Sequence, residues 1–164
     1  LQDASARAAV VAAVVADVRA LGLTQRTLMH SFDWALLAEC ARQAPEMPTS
    51  FLTQMPQNAA DIGEDHATPA VPGLTEADAS PPDLVAQAGG ALWCPYYLDV
   101  TAAQVVRAHA LGLRVAVWTV NEMEDIDRMI ALGVDGIVTD YPGRVQRRLL
   151  ALDHVWTEQA AMAV

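Results

Sequence analysis

Short apolar runs alternate with longer amphipathic stretches along most of this chain. The first stretch, about Ala4 to Leu21, is Ala-rich with helical periodicity, and Thr27 to Phe32 reads as a strand. Ser31 or Asp33 is placed to cap a helix over Trp34 to Gln43, which Pro45 terminates. Thr49 to Leu52 is a short strand between Pro48 and Gln54. Further on, the pattern predicts a helix near Asp83 to Ala88, a strand over Ala91 to Pro95, and a helix over Ala102 to Leu111 capped by Thr101. A strand over Val115 to Val120, a helix over Glu122 to Leu132 and a strand over Gly136 to Thr139 follow, and Pro142 opens a last helix. Five strands alternating with helices predict a parallel sheet with helical crossovers.

One operation recurs. Ala20-Leu21-Gly22-Leu23, Ala110-Leu111-Gly112-Leu113 and Ala131-Leu132-Gly133-Val134 each end a helix and lead into an apolar run, the last two 21 positions apart. Gly just past a helix takes a left-handed C-cap at little steric cost. That period, with no glycine-rich fingerprint after any strand, favours a TIM-type (β/α)8 barrel over a dinucleotide-binding sheet. An eight-stranded barrel needs three more strands than the pattern supplies, and the chain opens at Leu1 in mid-helix. The expectation is therefore a five-strand portion of such a barrel over residues 1–152, with a tail over 153–164. Two open sheet edges would make the isolated chain self-associate or require the missing strands.

Residues 54–82 break the pattern with five prolines and several carboxylates. A long excursion of this kind reads either as a cover over a site or as a variable surface insertion.

Composition narrows the function. The net charge is −10 and every cationic side chain is Arg, a balance that argues against a nucleic-acid partner. The absence of Lys removes Schiff-base and P-loop chemistry from these residues. Cys40 and Cys94 match no zinc or redox spacing and read as buried free thiols. The apolar run Ala8 to Ala16 is too short for a membrane span and is flanked by charge.

In a parallel barrel the strand C-terminal ends share one face, where sites are built. Those ends carry Phe32, Trp93, Tyr96 and Trp118, although aromatics are 5% of the chain, with Asn121 and Asp140 as polar companions. They read either as an apolar wall for an organic group or as a plug in the barrel top. Catalytic sets fail: His30 and Ser31 are adjacent strand residues and face opposite ways. The acidic run Asp61 to His66 matches no metal loop.

The stretch Leu113 to Asp140, with Trp118-Thr119-Val120-Asn121 and Gly133-Val134-Asp135-Gly136-Ile137-Val138-Thr139-Asp140, strongly resembles the C-terminal part of glycerophosphodiester phosphodiesterases. Ser31-Phe32-Asp33 and Trp93-Cys94-Pro95-Tyr96-Tyr97 look like earlier strands of that barrel. The resemblance implies a TIM-barrel hydrolase that cuts glycerophosphodiesters to glycerol 3-phosphate and an alcohol. It also implies a divalent metal, Ca or Mg, held by carboxylates in the complete enzyme, with two His as acid and base. The His-Arg-Gly, Glu-x-Asp, His-Asp and Glu-Ile-Lys motifs that carry this chemistry do not occur here. What carries over is a substrate wall of Phe32, Trp93 and Trp118, with Tyr96 and Asn121. The chain alone is then expected to bind no metal and to be inactive. Alternatives are a non-catalytic binding or assembly module derived from the barrel, or a related barrel phospholipase.

Overall fold

The structure is a computed structural model and describes residues 3–55 and 80–154. Five strands, β1 (Met29–Ser31), β2 (Thr49–Thr53), β3 (Leu92–Pro95), β4 (Arg114–Val117) and β5 (Gly136–Ile137), pair in chain order, every pair parallel. Six helices connect or flank them: α1 (Ala4–Ala20), α2 (Trp34–Gln43), α3 (Pro81–Gln87), α4 (Ala102–Ala110), α5 (Met123–Leu132) and α6 (Pro142–Ala151). This is the expected βα alternation, with the crossovers on one face of the sheet.

Local chemistry sets the boundaries. Asp33 is the N-cap of α2, its carboxylate accepting from the Leu36 amide, and Thr101 forms a reciprocal capping box with Gln104. Gly22, Gly112 and Gly133 all adopt the left-handed conformation, at φ +65°, +79° and +75°. The repeated Ala-Leu-Gly signal therefore does the same work three times.

The Arg7 guanidinium reaches from α1 to Asp33 at 2.8 Å and ties the first helix to the start of α2. Burial pushes the Asp33 carboxyl up, but hydrogen bonds from Arg7 and the Leu36 amide outweigh it and hold its pKa below the ordinary carboxylate value. A depressed carboxylate stabilises the fold above its unfolded-state pKa, and that contribution is lost as pH falls through the lowered value.

Register separates two faces. Phe51, Trp93, Val115 and Val117 join Leu37, Cys40, Val85, Val105, Ile126 and Met129 in the core beneath the helices. Alternate residues Leu52, Cys94 and Ala116 face the other way and form a second cluster with Phe32, Tyr96 and Trp118. That second, open face corresponds to a barrel interior.

Several expected bounds shift. The first strand is shorter than Thr27 to Phe32: it covers Met29–Ser31, the three residues that pair with Thr49–Phe51 of β2. The ladders of β4 and β5 stop at Val117 and Ile137, short of Val120 and Thr139. Pro81 and Pro82 open α3 and so leave the excursion placed over 54–82, most of which lies outside the described residues. The tail over 153–164 also lies almost wholly outside them.

Two glycines give a stability test. A Cβ at Gly90 would sit 2.6 Å from Val85 Cγ1 and 2.8 Å from Phe51, whereas one at Gly133 would meet nothing. Gly133→Ala should cost about 1 kcal/mol through its positive φ alone. Gly90→Ala should cost about 1–3 kcal/mol through overpacking. Chemical denaturation of both variants checks the order.

Candidate functional site

On the open face, Trp118 is the centre of an aromatic group at the strand C-terminal ends. Phe32, just past β1, meets it edge-on at 5.5 Å between ring centroids, and Tyr96, just past β3, lies at 5.2 Å. Tyr97 packs on Tyr96 at 5.0 Å. The position of Trp118 is fixed by polar contacts as well as by packing. Its indole N–H donates to the Cys94 carbonyl at 2.9 Å, and its own carbonyl accepts from the Tyr97 amide at 3.0 Å. Edge-to-face pairs of this kind contribute about 0.5–1.5 kcal/mol beyond the area they bury.

Trp93 does not join this group. It sits on the helix-covered face, 1% exposed, with its indole N–H donating to Thr53 Oγ1 at 2.9 Å. The reason is parity: Trp93 and Cys94 are adjacent in one strand, so the residue that faces the open side is Cys94, and two further on, Tyr96. Trp34 is likewise a core residue, edge-on to Phe51 at 4.9 Å.

Asn121 lies beyond the end of β4, with its side chain engaged by protein groups. Its Oδ1 accepts from the Asp140 amide and from Thr139 Oγ1, each at 3.0 Å, and its Nδ2 donates to Asp140 Oδ2 at 2.8 Å. Arg144 donates to its backbone carbonyl.

Other reactive side chains have structural partners. His30 Nδ1 lies 2.8 Å from the buried Ser50 hydroxyl, a cross-strand pair on the open face one layer below Phe32. Partial burial lowers the His30 pKa. This pair could not be read from sequence, because it depends on the β1–β2 register. Ser31 Oγ instead accepts from the Asp33 amide. His109 and the Val115 amide both bond Asp135 Oδ2, at 2.8 and 2.7 Å, at the opposite end of the sheet. Cys40 and Cys94 are both free and buried, and burial pushes the Cys94 thiol up to about 12. Among the described residues no three His, Cys, Asp or Glu side chains come together as a cation site, and no helix is long and apolar enough to cross a membrane.

A parallel βα sheet with helices on one face and an aromatic group at its strand C-terminal ends defines the TIM-barrel class of α/β protein, whose sites lie at that rim. Comparison with known proteins gives the particular family. A family model for the glycerophosphoryl diester phosphodiesterase family matches residues 2–144, and the chain belongs to that family. A Mycobacterium tuberculosis protein assigned as glycerophosphodiester phosphodiesterase 1 is 30% identical over 126 residues, 74% of this chain and 37% of that protein. The crystal structure of a Silicibacter pomeroyi protein assigned as a glycerophosphoryl diester phosphodiesterase is 56% identical. It superposes with TM-score 0.82 over 95% of this chain and 48% of its own. An Oleispira antarctica phosphodiesterase, solved with its product sn-glycerol-3-phosphate, shares the fold at 18% identity and TM-score 0.64, over 90% of this chain and 50% of its own. The chain thus spans about half the length, or less, of the relatives named here.

Placement on opposite faces separates two tryptophans experimentally. Trp93→Phe should lower stability by about 1–3 kcal/mol, because the buried Thr53 hydroxyl loses its donor. The same substitution should leave the fluorescence of the Trp118 group unchanged. The Cys94 thiol should resist alkylation at pH 8 in the folded chain and react once the chain is unfolded in urea.

Proposed function

We propose that the barrel to which this chain belongs hydrolyses glycerophosphodiesters to glycerol 3-phosphate and an alcohol, and that these residues supply one wall of the substrate pocket. The observation that carries the reading is the Phe32–Tyr96–Trp118 group on the open face of a family member, at the end of the strands where barrel sites are built. The product complex of the Oleispira antarctica relative supports the substrate class. In this role the rings take the carbon skeleton of the substrate and keep water from that side of the phosphate. Trp93 has no part in the wall.

Phosphoryl transfer concentrates negative charge on the equatorial oxygens, and catalysis comes from cations and hydrogen-bond donors aimed at them. The Phe32, Tyr96 and Trp118 side chains carry no cation. The donor set among the described residues does not fit a divalent cation, so Ca or Mg in the complete enzyme would be held by carboxylates outside that set. No step of the reaction runs through a metal on this wall.

The same reading accounts for surfaces left open. Among the described residues β1 and β5 each pair on one side only, and Val10, Val14 and Leu21 of the first helical segment are exposed. The other strands and helices of a closed barrel would cover them. In isolation the chain should self-associate, and sedimentation that finds a stable monomer at micromolar concentration would count against the open-barrel reading.

The decisive experiment compares the isolated chain with a chimera that joins it to the other half of the barrel from the Silicibacter pomeroyi relative. Neither Ca nor Mg should give the isolated chain a tight stoichiometric site or glycerophosphocholine hydrolysis. The chimera should hydrolyse it, with KM raised about tenfold by Trp118→Ala for the lost apolar contact. Metal-dependent turnover by the isolated chain would overturn the half-site reading. A folded chimera inactive on all glycerophosphodiesters would overturn the substrate class.

A further inference from the structure

We infer that Asn121 is a positioning residue: its carboxamide holds the Thr139–Tyr141 turn, and with it the Asp140 carboxylate, at the rim beside β4. What the rim serves rests on the hydrolase reading; the clamp itself does not. The regular ladder between β4 and β5 covers only Ala116–Gly136 and Val117–Ile137, extended by amide bonds from Val138 to the Val117 carbonyl and from Val120 to the Val138 carbonyl. Beyond that point the backbone of β5 turns away toward α6, and the Asn121 side chain takes over from the ladder.

The carboxamide behaves as a displaced peptide group. Its oxygen uses both lone pairs, on the Asp140 amide and the Thr139 hydroxyl. Its nitrogen uses one of two N–H donors on Asp140 Oδ2. The turn is closed further by the Tyr141 amide, which donates to Thr139 Oγ1 at 3.0 Å. From α6, Arg144 donates to the Asn121 carbonyl and lies over the Tyr141 ring at 4.5 Å. The other charge near this network is Glu122, whose carboxylate is 4.0 Å from Arg144. A carboxamide accepts twice at its oxygen and donates from its nitrogen at a separate point, which matches the spacing of these partners. One N–H is left over, so Asn121 is built first to hold the rim and has little capacity left for a ligand.

The pair can be reversed, which gives the test. Amide exchange is measured by NMR on the 164-residue chain for N121A, N121D and the double variant N121D/D140N. In N121A, which loses all three carboxamide hydrogen bonds, the amides of residues 140 and 141 should exchange at least about tenfold faster. The global unfolding midpoint and the β2–β3 amides should hardly move. N121D should behave like N121A at neutral pH, where two carboxylates face each other. It should recover in acid, when one takes a proton and becomes the donor. The double variant, with donor and acceptor exchanged, should protect both amides at neutral pH.

Unchanged exchange in N121A would overturn the inference, and so would acceleration spread evenly over the sheet. Failure of a folded double variant to restore protection would do the same. If N121A does not fold, N121D compared with the double variant at neutral pH decides it. No turnover is measured, so these outcomes are independent of whether the barrel hydrolyses glycerophosphodiesters.

Discussion

The structure depends on the two-residue alternation of short parallel strands. Neighbouring strands lie about 4.8 Å apart, and successive side chains point to opposite faces. A strand of four residues therefore has two positions to give the helices and two to give the open face. β3 uses them as Trp93 and Pro95 against Leu92 and Cys94, and β4 as Val115 and Val117 against Arg114 and Ala116. Size is sorted by the same rule. On the open face β4 and β5 meet through Ala116 and Gly136, where a Cβ on Gly136 would come within 3.2 Å of the alanine methyl. The large Trp118 ring appears one step further along, where the ladder has ended and there is room for it.

The end of the ladder is a second constraint, because it leaves backbone groups that need other partners. A buried peptide group without a hydrogen bond costs about as much as the bond itself. Here side chains and isolated backbone bonds take over in turn. The Tyr97 amide finds the Trp118 carbonyl, the Val120 amide finds the Val138 carbonyl, and the Asn121 carboxamide receives the Asp140 amide. Each bond joins neighbouring strand ends, so the rim is tied in a row around the sheet. The aromatic wall stands on that row, and its geometry follows from backbone accounting as much as from ring packing.

This explains which parts of the molecule were legible in the sequence. Left-handed Gly22, Gly112 and Gly133 and the caps at Asp33 and Thr101 are local signals, and they marked helix ends to within a residue or two. The strand count and the parallel sheet followed from the alternation of elements. The misplaced Trp93 came from treating a strand end as one location. Its parity against Tyr96 in the same strand was already visible in the sequence, and the same rule correctly separated His30 from Ser31. Contacts between strands were not accessible in this way. His30 with Ser50, and Asn121 with Asp140, need the register of two strands, which residue spacing along the chain does not contain.

Charge placement follows the order of the elements along the chain. Among the described residues, at least seven arginines form ion pairs, and several of these join successive helices or their caps, such as Arg7 to Asp33, Arg107 to Asp83 and Arg148 to Asp127. Exposed pairs of this kind stabilise by at most about 1 kcal/mol each. Their more definite consequence is where they leave the cations, on the helices and at the helix ends. Two of those cations nevertheless reach the strand ends: Arg128 lies over the Tyr97 ring at 5.7 Å, and Arg144 donates to the Asn121 carbonyl. The aromatic group thus has a cation at its Tyr97 end, and the tied rim holds rings and charge in one arrangement.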